Sequence, residues 1–339
     1  MHYGHTGEPN SRRIGPEDHC LFDMGAEYQC YASDITCSFP ANGIFDAKYR
    51  AVYECVLNAQ RAVYRCMRPG ISWVECHITA ELEIIKGLYT IGIVTIPESD
   101  QIDPTDTVAV HTKLEELVRH DEHRLGAVFM PHGLGHLIGI DTHDVGGYID
   151  PVTNNSPTSS TNNTTAAAAA VAAAVQQRLL QTPPRSTRPG LKSLRTARRL
   201  EVGIVVTVEP GCYFIDHLLN EALQPTNYIS KYLNKELINT EYRGYGGVRL
   251  EDVVTIRSSK NTTKKNTTTN DDTTISSSSK DDGADYYLYN MTLCPRTVNE
   301  IEHVMAGGKW PPMKDDAPEL CRKKLTDTNI SPLPSPPSK

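Results

Sequence analysis

No run in the 339 residues approaches the ~20 consecutive apolar side chains of a bilayer-spanning helix, so no membrane segment is expected. The first residues, MHYGHTGEPNSRR, contain no apolar stretch, which argues against a secretory signal. Positive charge is not in excess: 34 Lys and Arg stand against 41 Asp and Glu, for a net charge of −7. The two signs are mixed along the chain, so a nucleic-acid partner is not expected. The cysteines, nine in number, include no C-x-x-C pair and cannot all be paired within the chain. Reduced thiols buried as small hydrophobes, in a cytoplasmic protein, are the expectation. Nor is any internal repeat visible.

Two stretches lack the apolar content that a fold needs. Residues 153–189 combine an Asn/Thr/Ser tract with an alanine run, and residues 258–282 are almost wholly Ser, Thr, Asn, Lys and Asp. Such tracts bury too little apolar surface to offset chain entropy, so both are expected to be disordered insertions. The alanine run has the propensity for a transient helix. The tail over 310–339, ending SPLPSPPSK, is expected to be loose as well.

What remains is a mixed body. CLFDMG (20–25) and YQCYASDITCSF (28–39) alternate apolar and polar residues and predict a hairpin. Asp46 is the expected cap of a helix reaching about Met67, with Val52, Val56, Ala59 and Val63 on one face and Pro69-Gly70 closing it. Residues 73–90 and 111–124 predict further helices. GIVVTVEPGCYF (203–214) and GGVRLEDVVTI (246–256) are β-branched and strand-like.

Those strands carry acids where a structural strand has none. Asp23 sits between Phe22 and Met24, and Asp34 precedes Ile35. Glu209 ends the apolar run 204–208, and Glu251 follows Leu250 with Arg249 on its own side of the strand. Buried carboxylates must be paired or hold a metal. The segment PHGLGHLIGIDTHDVGG (131–147) adds His132, His136 and His143 beside an apolar run, as a site at the end of a packed element would. Four carboxylates and an imidazole suit two divalent cations of the Mn²⁺, Co²⁺ or Zn²⁺ kind.

In order, FDMG, SDIT, HGLGH, TVEPG and VRLED resemble the five-ligand dinuclear site of the pita-bread metallopeptidases, family M24. HYGHTGEPN, SDITCSFPANG, GAVFMPHGLGHLIGIDTHDVGGY, LKSLRTARRL, VEPGCYFIDHLL, YRGYGGVRLEDVV and CPRTVNEIEHVMAGG resemble its Xaa-Pro dipeptidase (prolidase) branch. The resemblance runs over about residues 1–308 apart from the two insertions. It implies an α+β pita-bread fold, a curved antiparallel sheet flanked by helices, forming one catalytic domain over residues 1–309.

The resemblance also assigns roles. Asp23, Asp34, His136, Glu209 and Glu251 are the implied metal ligands, with Asp34 and Glu251 bridging two ions, taken as Mn²⁺. A metal-bridging hydroxide would hydrolyse Xaa-Pro dipeptides, with Glu209 as proton shuttle and His143 and His132 flanking the reaction. His2, His143, Arg195 and Arg249 are the implied substrate-binding groups. Cys212 in VEPGCYF departs from the family pattern by placing a thiol near the metals, with oxidation sensitivity as the expected result. A second departure is Met1 directly before His2, where the branch has a further domain. A fold incomplete at the N-terminus is therefore expected, and homodimerisation only at full length. The rival activities are an aminopeptidase P acting on longer Xaa-Pro peptides and an inactive pita-bread binding module.

Overall fold

Asp46 starts the first long helix through its side chain, whose Oδ1 accepts from the Tyr49 amide at 2.8 Å. The computed structural model describes residue 11, residues 13–148, 183–258 and 286–310, and the backbone of 324–325. Helix α1 (Ala47–Cys66) buries Val52, Val56, Ala59 and Val63 completely, which is the predicted face. Ser72 caps α2 (Trp73–Thr90), whose Trp73, Ile84, Ile85 and Leu88 are equally buried. The two helices pack along each other, and α1 lies against the strands that carry the site. The helix expected over 111–124 is α3 (Thr107–Arg119). It starts earlier because the Asp106 carboxylate accepts from the amides of Val108 and Ala109. It stops earlier because His120 Nδ1 accepts from the amides of Glu122 and His123, turning the chain away.

The predicted hairpin is present with a modified tip. Strand β1 (His19–Met24) pairs antiparallel with β4 (Ile35–Pro40), placing Asp23 opposite Thr36. The intervening residues do not extend as one strand. Gln29 and Cys30 take φ of 50° and 67°, forming a two-residue turn between β2 (Glu27–Tyr28) and β3 (Tyr31–Ala32).

Each of the two later strand-like runs is two strands. The first divides into β5 (Val205–Val208) and β6 (Gly211–Phe214), the second into β7 (Gly246–Arg249) and β8 (Asp252–Ser258). β5 pairs with β8 and β6 with β7, so the same two segments pair on both sides of a shared break. Pro210, which has no N–H to donate, lies in the break on one side, and Leu250-Glu251 on the other. The break leaves Glu209 and Glu251 outside the ladders, on adjacent segments. An isolated bridge, Thr36 to Glu251, ties β4 to this corner. All strand pairings among the described residues are antiparallel, and β8 continues through β9 (Tyr286–Asn290) to β10 (Lys324–Leu325).

Most of the two predicted insertions and of the tail lies outside the described residues. Residues 183–189 are a correction: Arg185 stacks on Tyr148 at 4.3 Å and donates to the Leu194 carbonyl at 2.9 Å. Arg188 donates to the Arg119 carbonyl at 2.7 Å and pairs with Asp121 at 3.0 Å. This proline- and arginine-rich stretch is held by long polar side chains, which composition alone counts as loop. Ser258 likewise ends a paired strand, and Lys324–Leu325 in the predicted tail pair with β9. No helix among the described residues is long and apolar enough to cross a membrane.

Candidate metal centre

His136 sits where the chain crosses the edge of β5. Its amide donates to Thr207 Oγ1 at 3.0 Å, its carbonyl accepts from the Thr207 amide at 2.9 Å, and Leu137 bridges to Val206. The approach needs glycine at 135, because a Cβ there would lie 2.1 Å from the Thr207 carbonyl oxygen. Gly135→Ala is therefore expected to cost about 1–3 kcal/mol through a backbone clash. Thermal melting of metal-free protein measures it, and an unchanged midpoint would refute the close packing.

The imidazole is oriented from behind. His136 Nδ1 lies 3.0 Å from the Leu137 carbonyl, which can only accept, so Nδ1 carries the proton. Nε2 then presents its lone pair to Asp34 Oδ2 and Glu209 Oε1, each 3.5 Å away. Asp34, His136 and Glu251 each offer a ligand atom within 4.8 Å of one another. Thr36 Oγ1 donates to Glu251 Oε2 at 2.6 Å, and Thr207 Oγ1 donates to Glu209 Oε1 at 3.2 Å. Asp23 pairs with Arg249, whose Nε also donates to Thr36 Oγ1 at 3.1 Å.

These groups line one cavity of about 590 Å³. Asp23, Asp34, His132, His136, His143, Arg195, Glu209, Arg249 and Glu251 all border it, so nine of the ten predicted site residues converge. The tenth, His2, lies outside the described residues. The ring of His143 meets that of His136 edge-on at 4.5 Å, and His132 meets Tyr213 similarly at 5.2 Å. The basic residues of the stretch LKSLRTARRL (191–200) take different partners. Arg198 pairs with Glu201 and Arg199 reaches the Gly70 carbonyl, whereas Arg195 borders the cavity. Cys212 corrects the sequence reading: it is buried in the core, does not border the cavity, and burial pushes its thiol well above the usual range. Thr36, Thr207 and Tyr213 were not foreseen. Each threonine is two residues from a predicted ligand, and the period of a strand would have pointed to it.

Crowding perturbs the acids in one direction. Burial, then the charge of Asp34, pushes Asp23 up to about 6 and Glu251 up to about 7. Burial, then Glu251 and Asp34, holds Glu209 well above the usual carboxylate range. Burial lowers His132 to about 4; burial, then His136 and Arg195, lowers His143. A cation among these carboxylates reverses the penalty. Glu251 Oε1 is the plainest sign that one fits: it is buried and has no hydrogen-bond partner among the described residues, while Oε2 is held by Thr36.

Clustered carboxylates, an imidazole with a fixed tautomer and a cavity beside them define a divalent-metal site of the hydrolytic kind. The chain belongs to metallopeptidase family M24, whose model matches residues 1–258. The pita-bread α+β class goes with that membership. The human Xaa-Pro dipeptidase is 42% identical over 307 residues, covering 91% of this chain and 46% of the relative. A probable Xaa-Pro aminopeptidase of Tuber melanosporum is 32% identical over 259 residues, covering 76% and 44%. Among solved structures, the aminopeptidase PepP of Pseudomonas aeruginosa superposes with a TM-score of 0.47 and 25% identity, over 88% of this chain and 43% of that one. The chain spans about half the length of the curated relatives it matches.

Proposed function

We propose that the site hydrolyses Xaa-Pro dipeptides, and that Asp23, Asp34, His136, Glu209 and Glu251 would hold two divalent cations. The observation that carries this is the convergence of all five on one cavity that Arg195 also borders. Bound there, such cations, taken as Mn²⁺, would supply the Lewis acidity that acidifies water and polarises a carbonyl.

The chain's own groups do the rest. Glu209, whose Oε1 is held by the Thr207 hydroxyl, takes a proton from the attacking water and delivers it to the departing proline nitrogen. His143, kept neutral by burial and the nearby charge of Arg195, donates a hydrogen bond to the developing oxyanion. His132 closes the wall beside Tyr213, its Nδ1 2.7 Å from the Gly133 carbonyl. Arg195 receives the proline carboxylate, with His2 and His143 as the companions implied by the family resemblance. Arg249 fixes Asp23 at the cavity edge and faces the substrate from that side. By the same resemblance the protein is a homodimer, and its scattered cysteines suit a cytoplasmic setting.

The test compares initial rates on Gly-Pro and Gly-Pro-Gly with Mn²⁺-loaded protein. The dipeptide should be cleaved far faster. Equal rates would assign the site to longer Xaa-Pro peptides, the activity in the name of the Tuber relative.

A further inference from the structure

Arg296 lies beyond the residues matched by the family model, in the loop between β9 and α4 (Val298–Met305). Its guanidinium nevertheless reaches the metal-site corner from behind. Nη1 donates to the Thr36 carbonyl at 2.9 Å and approaches Cys37 Sγ at 3.4 Å, while Nη2 donates to the Glu251 carbonyl at 2.5 Å. Nε and Nη2 also grip Asp252 Oδ1, at 2.9 and 2.5 Å. The other carboxylate oxygen of Asp252 is held by Tyr64 Oη and Asn290 Nδ2, each at 2.7 Å. One planar cation thus spans the bridge by which β4 meets the β7–β8 corner.

That bridge sets the relation between two ligands from distant parts of the sequence. Asp34 is two residues before Thr36, and Glu251 is the bridge partner itself. Across the bridge the Glu251 amide donates to the Thr36 carbonyl at 3.1 Å, and the Thr36 hydroxyl holds Glu251 Oε2. Arg296 binds the carbonyls of both residues, so a shift of either strand breaks a charge-assisted bond. Lysine cannot reproduce this fork, because an ammonium on a flexible stem lacks the planar spacing of donors.

We propose, on the basis of the metal centre argued above, that Arg296 is a positioning residue that sets the spacing of Asp34 and Glu251, with Asp252 and Tyr64 locking its guanidinium. It touches neither substrate nor metal. Its effect is read in how tightly the folded protein holds cations.

The experiment titrates Mn²⁺ into metal-free wild type, Arg296→Lys and Tyr64→Phe by calorimetry under reducing conditions, with thermal melting of the same metal-free samples. Arg296→Lys should weaken Mn²⁺ binding by about 10–100-fold, the usual effect of removing a group that orients a ligand. Tyr64→Phe, which removes one bond and keeps the packing, should weaken it in the same direction by a smaller factor. If Arg296→Lys does not fold, Tyr64→Phe decides. A merely structural role would lower the melting midpoints and leave the Mn²⁺ affinity of folded protein equal to wild type, and that result overturns the inference. Wild type that binds no Mn²⁺ would overturn the metal centre itself, and this inference with it.

Discussion

Glu251→Gln should abolish metal loading and lower Gly-Pro hydrolysis by at least about 1,000-fold, since metal ions supply several kcal/mol of transition-state stabilisation. The substitution is nearly isosteric. The amide oxygen can still accept from Thr36, so the corner between β4 and β8 keeps its hydrogen bond. What disappears is a negative charge on a buried group with one unpartnered oxygen. The same change should stabilise the metal-free protein. Burial and Asp34 push Glu251 up to about 7, whereas a glutamate in the unfolded chain titrates near about 4.3. Between these values the unfolded chain gives up a proton that the folded chain keeps, so this group's contribution to stability falls as pH rises. The penalty is absent below about 4 and fully present above about 7. In chelator, the variant should therefore melt above wild type at pH 8, with the difference shrinking towards zero as pH falls to about 4. A pH-independent difference would mean that Glu251 is not crowded as the geometry indicates.

Arg195→Ala should slow the dipeptide by tens- to thousands-fold and leave the tripeptide almost unchanged. A dipeptide carries its carboxylate immediately beyond the scissile bond, where a longer peptide carries a neutral amide. A guanidinium bordering the cavity gains a charge-assisted and bidentate bond from the first and a poor contact from the second. Truncating one partner of such a pair costs about 2–5 kcal/mol, which corresponds to that range of rates. Initial rates on Gly-Pro and Gly-Pro-Gly with wild type and variant give the answer. If both substrates slow equally, Arg195 supports the loop that carries it and does not read the carboxylate.

Local signals were legible where one residue type does one job. Asp46 announced the start of α1, and the buried face of α1 followed from its apolar spacing. The proposed ligands stood out because acids interrupt apolar strands, and nine of ten predicted site residues border one cavity. The break shared by β5–β6 and β7–β8 was missed although Pro210-Gly211 marks it on one side; on the other side Leu250-Glu251 carries no breaker. The packing of residues 183–189 was hidden by a composition that also suits loops. Arg296 lies in a stretch that carries the family resemblance, but nothing local shows its role: its partners Thr36 and Glu251 are 260 and 45 positions away. Only the folded chain places a cation behind that bridge.

The most direct test is a titration of Mn²⁺ into metal-free protein, with bound metal and Gly-Pro hydrolysis followed on the same samples. Bound metal should rise to two ions per chain, and hydrolysis should rise with it and level off there. Folded protein that binds fewer than one ion per chain, or that stays inactive on Gly-Pro with two ions bound, would contradict a dinuclear Xaa-Pro dipeptidase site.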